Sequence, residues 1–209
     1  MIVDALNRGA RRVPSWLLYI LGILPAGFFL YLGMTGGLGP EPIKSLEHEL
    51  GEFALKLLIV GLAITPLRKH LGVNLLKFRR AIGVLTFVYV FLHLLVWLVL
   101  DVQIVSQIWA DILKRPYITV GMVGFVLMIP LAFTSNNYSV RKLGARWRKL
   151  HKLAYPVAFL GALHFVMLAK GIQLEPLLYM AVVLGLLALR IPKKSLHLGN
   201  RFTRESVDN

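Results

Sequence analysis

The sequence predicts an all-α integral membrane protein, a six-helix bundle with both termini in the cytoplasm. Three observations carry that expectation. Apolar residues make up 57% of the 209 residues and charged residues 16%, against about half and a quarter in soluble domains. The apolar residues gather in six runs, most of them near the ~20 residues that a helix needs to cross a bilayer. The basic residues gather between the runs and on alternate sides, which sets orientation.

The elements follow in order. Residues 1–15 read as a cytoplasmic segment carrying Arg8, Arg11 and Arg12. The first run, 16–34, follows this basic lead as the core of a signal peptide would. It is long enough to span, however, and no small-residue cleavage pattern precedes GGLGPEP, so it reads as an uncleaved first helix. The second run, 53–67, is short and can extend because Lys56 snorkels. The third is 81–100, the fourth 117–133, the fifth 153–169. The sixth, 176–191, is again short, with Arg190 at its end. Pro25, Pro130 and Pro156 predict kinks. Residues 16–191 thus form one transmembrane domain, and 192–209 a flexible cytoplasmic tail.

With the N-terminus inside, nineteen of the 24 basic residues fall on the cytoplasmic side. The outer side keeps Lys44, Lys56, Lys114, Arg115 and Lys170, together with seven of the ten acidic residues. That asymmetry supports six spans, because an odd number would break the alternation. It also explains the net charge of +14 as membrane topology and contact with anionic lipid rather than nucleic-acid binding, since the remainder of the chain is lipid-like. Aromatics such as Trp16, Trp97, Trp109, Tyr117 and Tyr179 sit near span ends, as interfacial anchors do. There is no cysteine, which excludes disulfides, thiolate-held iron–sulfur clusters and covalent c-type haem.

Two histidines lie inside the apolar runs. His93 is 13 residues beyond Arg80 and His164 is 13 beyond His151, each ~20 Å along a helix. The third and fifth runs point the same way, so both imidazoles reach matching depth in the outer half of a core about 30 Å thick. Ionisable groups at that depth face a bundle interior and serve a function, and imidazole is the usual axial ligand of haem iron. His93 and His164 therefore read as the axial pair of a b-type haem. The plainer alternative is a pair of core histidines bonded to backbone or to each other.

His151, at the inner mouth of the fifth run, is rotated ~220° from His164 on an ideal helix and shares no face with it. No histidine stands opposite it on the third run, where Arg79 and Arg80 occur. It reads as a metal or cofactor contact to a second haem, a flavin or a quinone, or as an interfacial histidine. His48, flanked by Glu47 and Glu49 in the outer segment before the second run, reads as a solvated histidine or as a group for quinol deprotonation or partner contact. His70 and His197 stand among cytoplasmic basic residues and read as surface. The basic stretch 141–149 reads as a topology determinant, with a flavin phosphate or anionic lipid as the functional alternative. Gly121 and Gly124 allow close helix approach. No Gly-rich loop follows a strand signal, so no Rossmann site is present.

The stretches GGLGPEPIKSLEHELGEFALKLL, ITPLRK, RRAIGVLTFVYVFLHL, KRPYITVG, LAFTSNNYSVRKLGARWRKLHKLAY, ALHF and EPLLYMAVVLGLLALR resemble the MsrQ (YedZ) family. These are haem-binding membrane subunits of the bacterial periplasmic protein-methionine-sulfoxide reductase system, within the wider ferric-reductase-like transmembrane group. The likeness runs from about Gly36 to Arg190. It implies a six-helix inner-membrane protein with b-type haem and FMN. It implies electron flow from the quinone pool, or from a cytoplasmic flavin reductase, to a periplasmic molybdenum-cofactor subunit that reduces protein methionine sulfoxide. The family's functional histidines fall on His93, His151 and His164, and His48 lies in a family motif. The wider group's second histidine on the third helix is missing, which leaves the number of haems open. No segment reads as a nicotinamide- or FAD-binding domain.

The expected function is a non-catalytic electron-transfer subunit, with residues 36–52 and 101–116 forming the outer docking surface. The alternative is a proton-coupled small-solute transporter or a membrane scaffold without haem, with His93 and His164 as a proton relay. Transporters often carry related halves, and no half-to-half similarity is legible in the sequence.

Overall fold

The computed structural model describes residues 1–169 and 171–190; Lys170, Ile191, His197 and the expected tail at 192–209 lie outside them. The described residues are helical, with no strand among them. A short α1 (Ile2–Arg12) leads into α2 (Ser15–Thr35), α3 (Pro42–Leu71) and α4 (Arg79–Val96). A π-helical turn, Trp97–Val102, ends α4. Then come α5 (Val105–Lys114), α6 (Pro116–Phe133), α7 (Asn137–Leu143), α8 (Ala145–Leu150), α9 (Ala154–Leu168) and α10 (Leu174–Ala188).

Five helical stretches are long and apolar enough to cross a membrane. They correspond to the first five apolar runs. The sixth run forms α10, a helix of 15 residues. It covers ~22 Å, less than the ~30 Å hydrocarbon layer, so by length it falls short of the other five.

The second run departs most from expectation. It belongs to a helix of 30 residues that starts at Pro42, not at Phe53. Leu46, Leu50 and Ala54 recur every four residues and are buried, so the apolar stripe continues upstream. Lys44, Glu47, Glu49 and Glu52 on the other faces hide it from a hydropathy average. His48 consequently lies within α3, not in an outer segment before it. The stretch expected as outer surface at 101–116 contains α5, and residues 1–15 contain α1.

The helix α3 is the central element, contributing to three apolar clusters. Leu46, Leu50 and Ala54 pack with Ala26 of α2 and Tyr89 and Val96 of α4. Leu55 and Leu62 pack with Ala158 and Ala162 of α9 and Val183 of α10. Ile64 packs with Phe78 and Ile82 where α4 begins. The alanines let backbones approach closely, which is how helices associate where lipid removes the hydrophobic drive.

Prolines inside helices free carbonyls that lipid cannot satisfy, and two of these breaks are repaired by other helices. Beside Pro25, the Tyr89 hydroxyl accepts from the Ala26 N–H at 3.0 Å and donates to the Gly22 carbonyl at 2.7 Å. These are the two groups that an unbroken helix joins directly. Four residues before Pro66 stands Leu62, whose carbonyl accepts from the Arg190 guanidinium. That bond fastens the end of α10 onto α3.

Tyr89→Phe removes the bridge at a fully buried position and leaves the Ala26 N–H and Gly22 carbonyl to find each other across a kink. The expected cost is about 1–3 kcal/mol, read as a lower midpoint of thermal unfolding in detergent. An unchanged midpoint would show that the α2 ladder closes without the hydroxyl.

Candidate functional site

Four helices, α3, α4, α6 and α9, enclose a cavity of about 310 Å³. Its walls are apolar, with Leu55, Val90, Leu94, Phe125, Met128 and Phe165 among them. His93 from α4 and His164 from α9 meet inside it. Their ring centres are 6.2 Å apart and their planes cross at 81°. Matching depth on two helices, the sequence expectation, is realised as side-chain proximity.

Each ring is held in the same way. His93 Nδ1 lies 2.8 Å from the Glu47 carbonyl of α3, and His164 Nδ1 lies 2.7 Å from the Tyr117 carbonyl of α6. A carbonyl can only accept, so both Nδ1 atoms carry the proton. That leaves each neutral ring with its lone pair on Nε2, and neither Nε2 has a hydrogen-bond partner among the described residues. A ring whose Nδ1–H is bonded to backbone while Nε2 is free is in the state of a metal-ligating histidine.

Glycine makes both contacts possible. One helical turn beyond Glu47 stands Gly51, where an added Cβ would lie 3.0 Å from His93 Nδ1. One turn beyond Tyr117 stands Gly121, where an added Cβ would lie 2.9 Å from His164 Nδ1. The two sequence separations, 46 and 47 residues, are nearly equal. The helix pair α3–α4 therefore repeats the arrangement of α6–α9: carbonyl, glycine a turn later, histidine from the next helix. Close approach at Gly121 was expected from sequence. Gly51 and the two carbonyl acceptors were not; a glycine at a similar distance before each histidine was the available signal.

The donor set fits a metal macrocycle, to which His93 and His164 would each offer a free Nε2. Two imidazoles opposed across one metal, each nitrogen about 2.0–2.1 Å from it and about 1.1 Å from its ring centre, place those centres about 6.3 Å apart. The observed separation agrees. Among the described residues no group of three or more histidine, cysteine or acidic side chains could hold a bare metal ion. Two nitrogens alone suit a metal whose remaining ligands come from a cofactor.

The cavity mouth is charged. Lys44, Glu47, His48, Glu52, Asp101 and Arg115 line it. Lys44 pairs with Glu41 at 2.9 Å, Lys56 with Glu52 at 2.6 Å and Arg115 with Asp111 at 3.3 Å. The Tyr179 hydroxyl donates to Glu52 at 3.0 Å. Arg115 reaches the Tyr117 hydroxyl at 3.5 Å, and this contact, with Asp111 and Asp101 nearby, raises its pKa. His48 is exposed yet borders the cavity, so it stands at the entrance rather than on an unrelated surface.

His151 is not part of this cavity. It sits in the turn before α9, stacked on Trp147 with ring centres 3.9 Å apart. Its Nε2 is 3.0 Å from Thr134 Oγ1, and Trp147 Nε1 donates to the Thr134 carbonyl at 2.9 Å. Thr134 thus ties the end of α6 to the start of α9. His70, in the last turn of α3, is exposed.

Residues 50–162 match the family described as the ferric reductase like transmembrane component. A relative from Agrobacterium fabrum is 49% identical over 93% of this chain and 91% of its own length. One from Rhizobium meliloti is 52% identical over 92% and 89%, and one from Brucella anthropi is 46% identical over 89% and 84%. Each is named protein-methionine-sulfoxide reductase heme-binding subunit MsrQ. No solved structure matches the chain. Half-identity across nearly the full length, together with the family match over residues 50–162, shows that the chain belongs to the MsrQ family within the ferric-reductase-like transmembrane group.

Proposed function

We propose that this chain is a membrane cytochrome b-type electron-transfer subunit that holds haem b between His93 and His164. The observation that carries the reading is the pair of imidazoles 6.2 Å apart, each with Nδ1 committed to a backbone carbonyl. The relatives' shared description as heme-binding subunits supports it. When bound, haem supplies a one-electron carrier within the bilayer.

The residues of the chain do the rest. The carbonyls of Glu47 and Tyr117 fix the rotation of each ring and make Nε2 a better donor. The apolar walls exclude water and so tune the potential. Lys44, His48 and Arg115, which line the cavity, would offer hydrogen-bond donors to the carboxylates of a bound haem.

The topology that accompanies this reading is six spans in the bacterial inner membrane with both termini cytoplasmic. In it, α10 crosses with help from its flanks. The acidic end, which carries His48, α5 and the cavity mouth, then faces the periplasm and docks a molybdenum-cofactor subunit that reduces protein methionine sulfoxide. Electrons come from the quinone pool or from a cytoplasmic flavin reductase, with FMN as a second cofactor. We assign His151 to a contact with a second redox group at the basic end, whether haem, flavin or quinone. Sulfoxide chemistry belongs to the partner, and this chain is non-catalytic.

A visible spectrum of the purified protein tests the core of the proposal. Dithionite is expected to bring up a sharp b-type haem band. His93→Ala or His164→Ala should abolish it, and His70→Ala should leave it intact. A colourless protein from haem-replete cells, with solute uptake in vesicles, would favour the transporter reading instead.

The glycines give a finer test. Gly121→Ala and Gly51→Ala should each reduce haem occupancy several-fold or shift its midpoint potential, because the new Cβ displaces a ligand ring. Gly83→Ala, where nothing lies within 4 Å of the added carbon, is the control and should match the parent. Equal spectra and potentials for all three would remove the glycines from ligand positioning.

A further inference from the structure

The helix α1 lies outside the cavity and outside the bundle core, with no buried residue. At ~100° per residue, Ile2, Leu6, Ala10 and Val3 fall within one narrow arc. Asp4, Asn7, Arg8, Arg11 and Arg12 occupy the opposite side. One edge of the helix is clipped to the connection between α3 and α4. Asn7 Nδ2 donates to the Gly72 carbonyl at 3.1 Å, and Asn7 Oδ1 accepts from the Asn74 N–H at 2.8 Å. Lys77 Nζ donates to the Arg11 carbonyl at 2.9 Å. A Cβ added at Gly72 would lie 3.6 Å from Val3 Cγ1, in ordinary contact, and Ala10 touches the cluster of Ile64, Phe78 and Ile82.

The adjoining apolar strip has no protein partner among the described residues. Ile2 is 79% exposed and Leu6 54%. Polar clasps hold this helix in place, so its exposed apolar side is a fixed surface rather than a loose end. The chain also runs from it through Val13 and Pro14 directly into α2, a helix long and apolar enough to span, whose Trp16 and Ile20 are exposed in turn. Arg8, Arg11 and Arg12 are all exposed. Arg68 and Lys69 end α3 on the same side of the bundle.

We propose that α1 is an in-plane membrane helix that seats Ile2 and Leu6 in the lipid and binds anionic phospholipid headgroups through Arg8, Arg11 and Arg12. An apolar strip beside a basic face is the pattern of helices that lie in the headgroup boundary. Each arginine near an anionic surface strengthens attachment about fivefold. The occupant is lipid rather than a soluble partner, because α1 leads within two residues into a helix long and apolar enough to span a membrane.

The chain has no cysteine, so single nitroxide labels can be placed on the full protein. Leu6→Cys and Ile2→Cys report the strip, and Asp4→Cys the opposite face. In phosphatidylcholine vesicles, labels at 6 and 2 should collide with oxygen in several-fold preference to a water-soluble nickel chelate, and the label at 4 should show the reverse. Adding phosphatidylglycerol should deepen the label at 6, and the triple change Arg8→Gln, Arg11→Gln, Arg12→Gln should abolish that dependence. Labels at 2 and 6 as open to nickel as the label at 4 would overturn the in-plane placement. Shielding of those labels from both reagents that is lost on dilution with lipid would assign the strip to a second copy of the chain. A depth unaffected by phosphatidylglycerol would overturn the anionic preference.

Discussion

The two hydrogen bonds from imidazole Nδ1 to a helix carbonyl are the interaction on which the site depends. In lipid a ring nitrogen without a partner is costly, and a helix carbonyl is normally occupied by its own ladder. Gly51 and Gly121 resolve that conflict. With no Cβ in the way, each ring lies against the helix backbone and shares a carbonyl one turn back, at 2.8 and 2.7 Å. The tautomer, the ring rotation and the 6.2 Å separation follow from that contact. The same unit is built twice, once on α3–α4 and once on α6–α9, so the cavity has an approximate local symmetry that side-chain chemistry alone does not reveal.

The bundle around the cavity is joined by repaired breaks as much as by apolar packing. Tyr89 bridges the Ala26 N–H and Gly22 carbonyl beside Pro25 and fixes α2 to α4. Arg190 takes up the carbonyl freed by Pro66 and fixes α10 to α3. At the end of α6, Thr134 bonds the Pro130 carbonyl at 2.6 Å and meets His151. Prolines that weaken single helices thereby create specific addresses for neighbouring ones. In a medium where apolar surface gains little from contact with another helix, such polar contacts select the partner.

Charge is distributed to suit the same plan. The acidic residues and their partners cluster at the cavity mouth, where Glu52 is shared between Lys56 and Tyr179. The opposite end is basic, with Arg79, Arg80 and the stretch from Arg141 to Lys152. The two-histidine cavity thus opens toward the acidic groups, and the arginine-rich surface lies away from them. The short helices α1 and α5 lie one at each end.

Composition and patterning determined the all-helical membrane class, the positions of the five long helices and the matched depth of His93 and His164, because helix rise and lipid thickness are local quantities. Packing decided what local patterns do not encode. The length of α3 was hidden because its buried stripe of Leu46, Leu50 and Ala54 is interleaved with charges, and an average along the chain cannot separate faces. Gly51 and the carbonyls of Glu47 and Tyr117 were hidden because a backbone acceptor looks alike at every position until another helix brings a donor to it. The 13-residue spacing already put His151 on another face from His164, but only the tertiary structure supplies its partners, Thr134 and Trp147, since contacts between helix ends are set by how the helices pack.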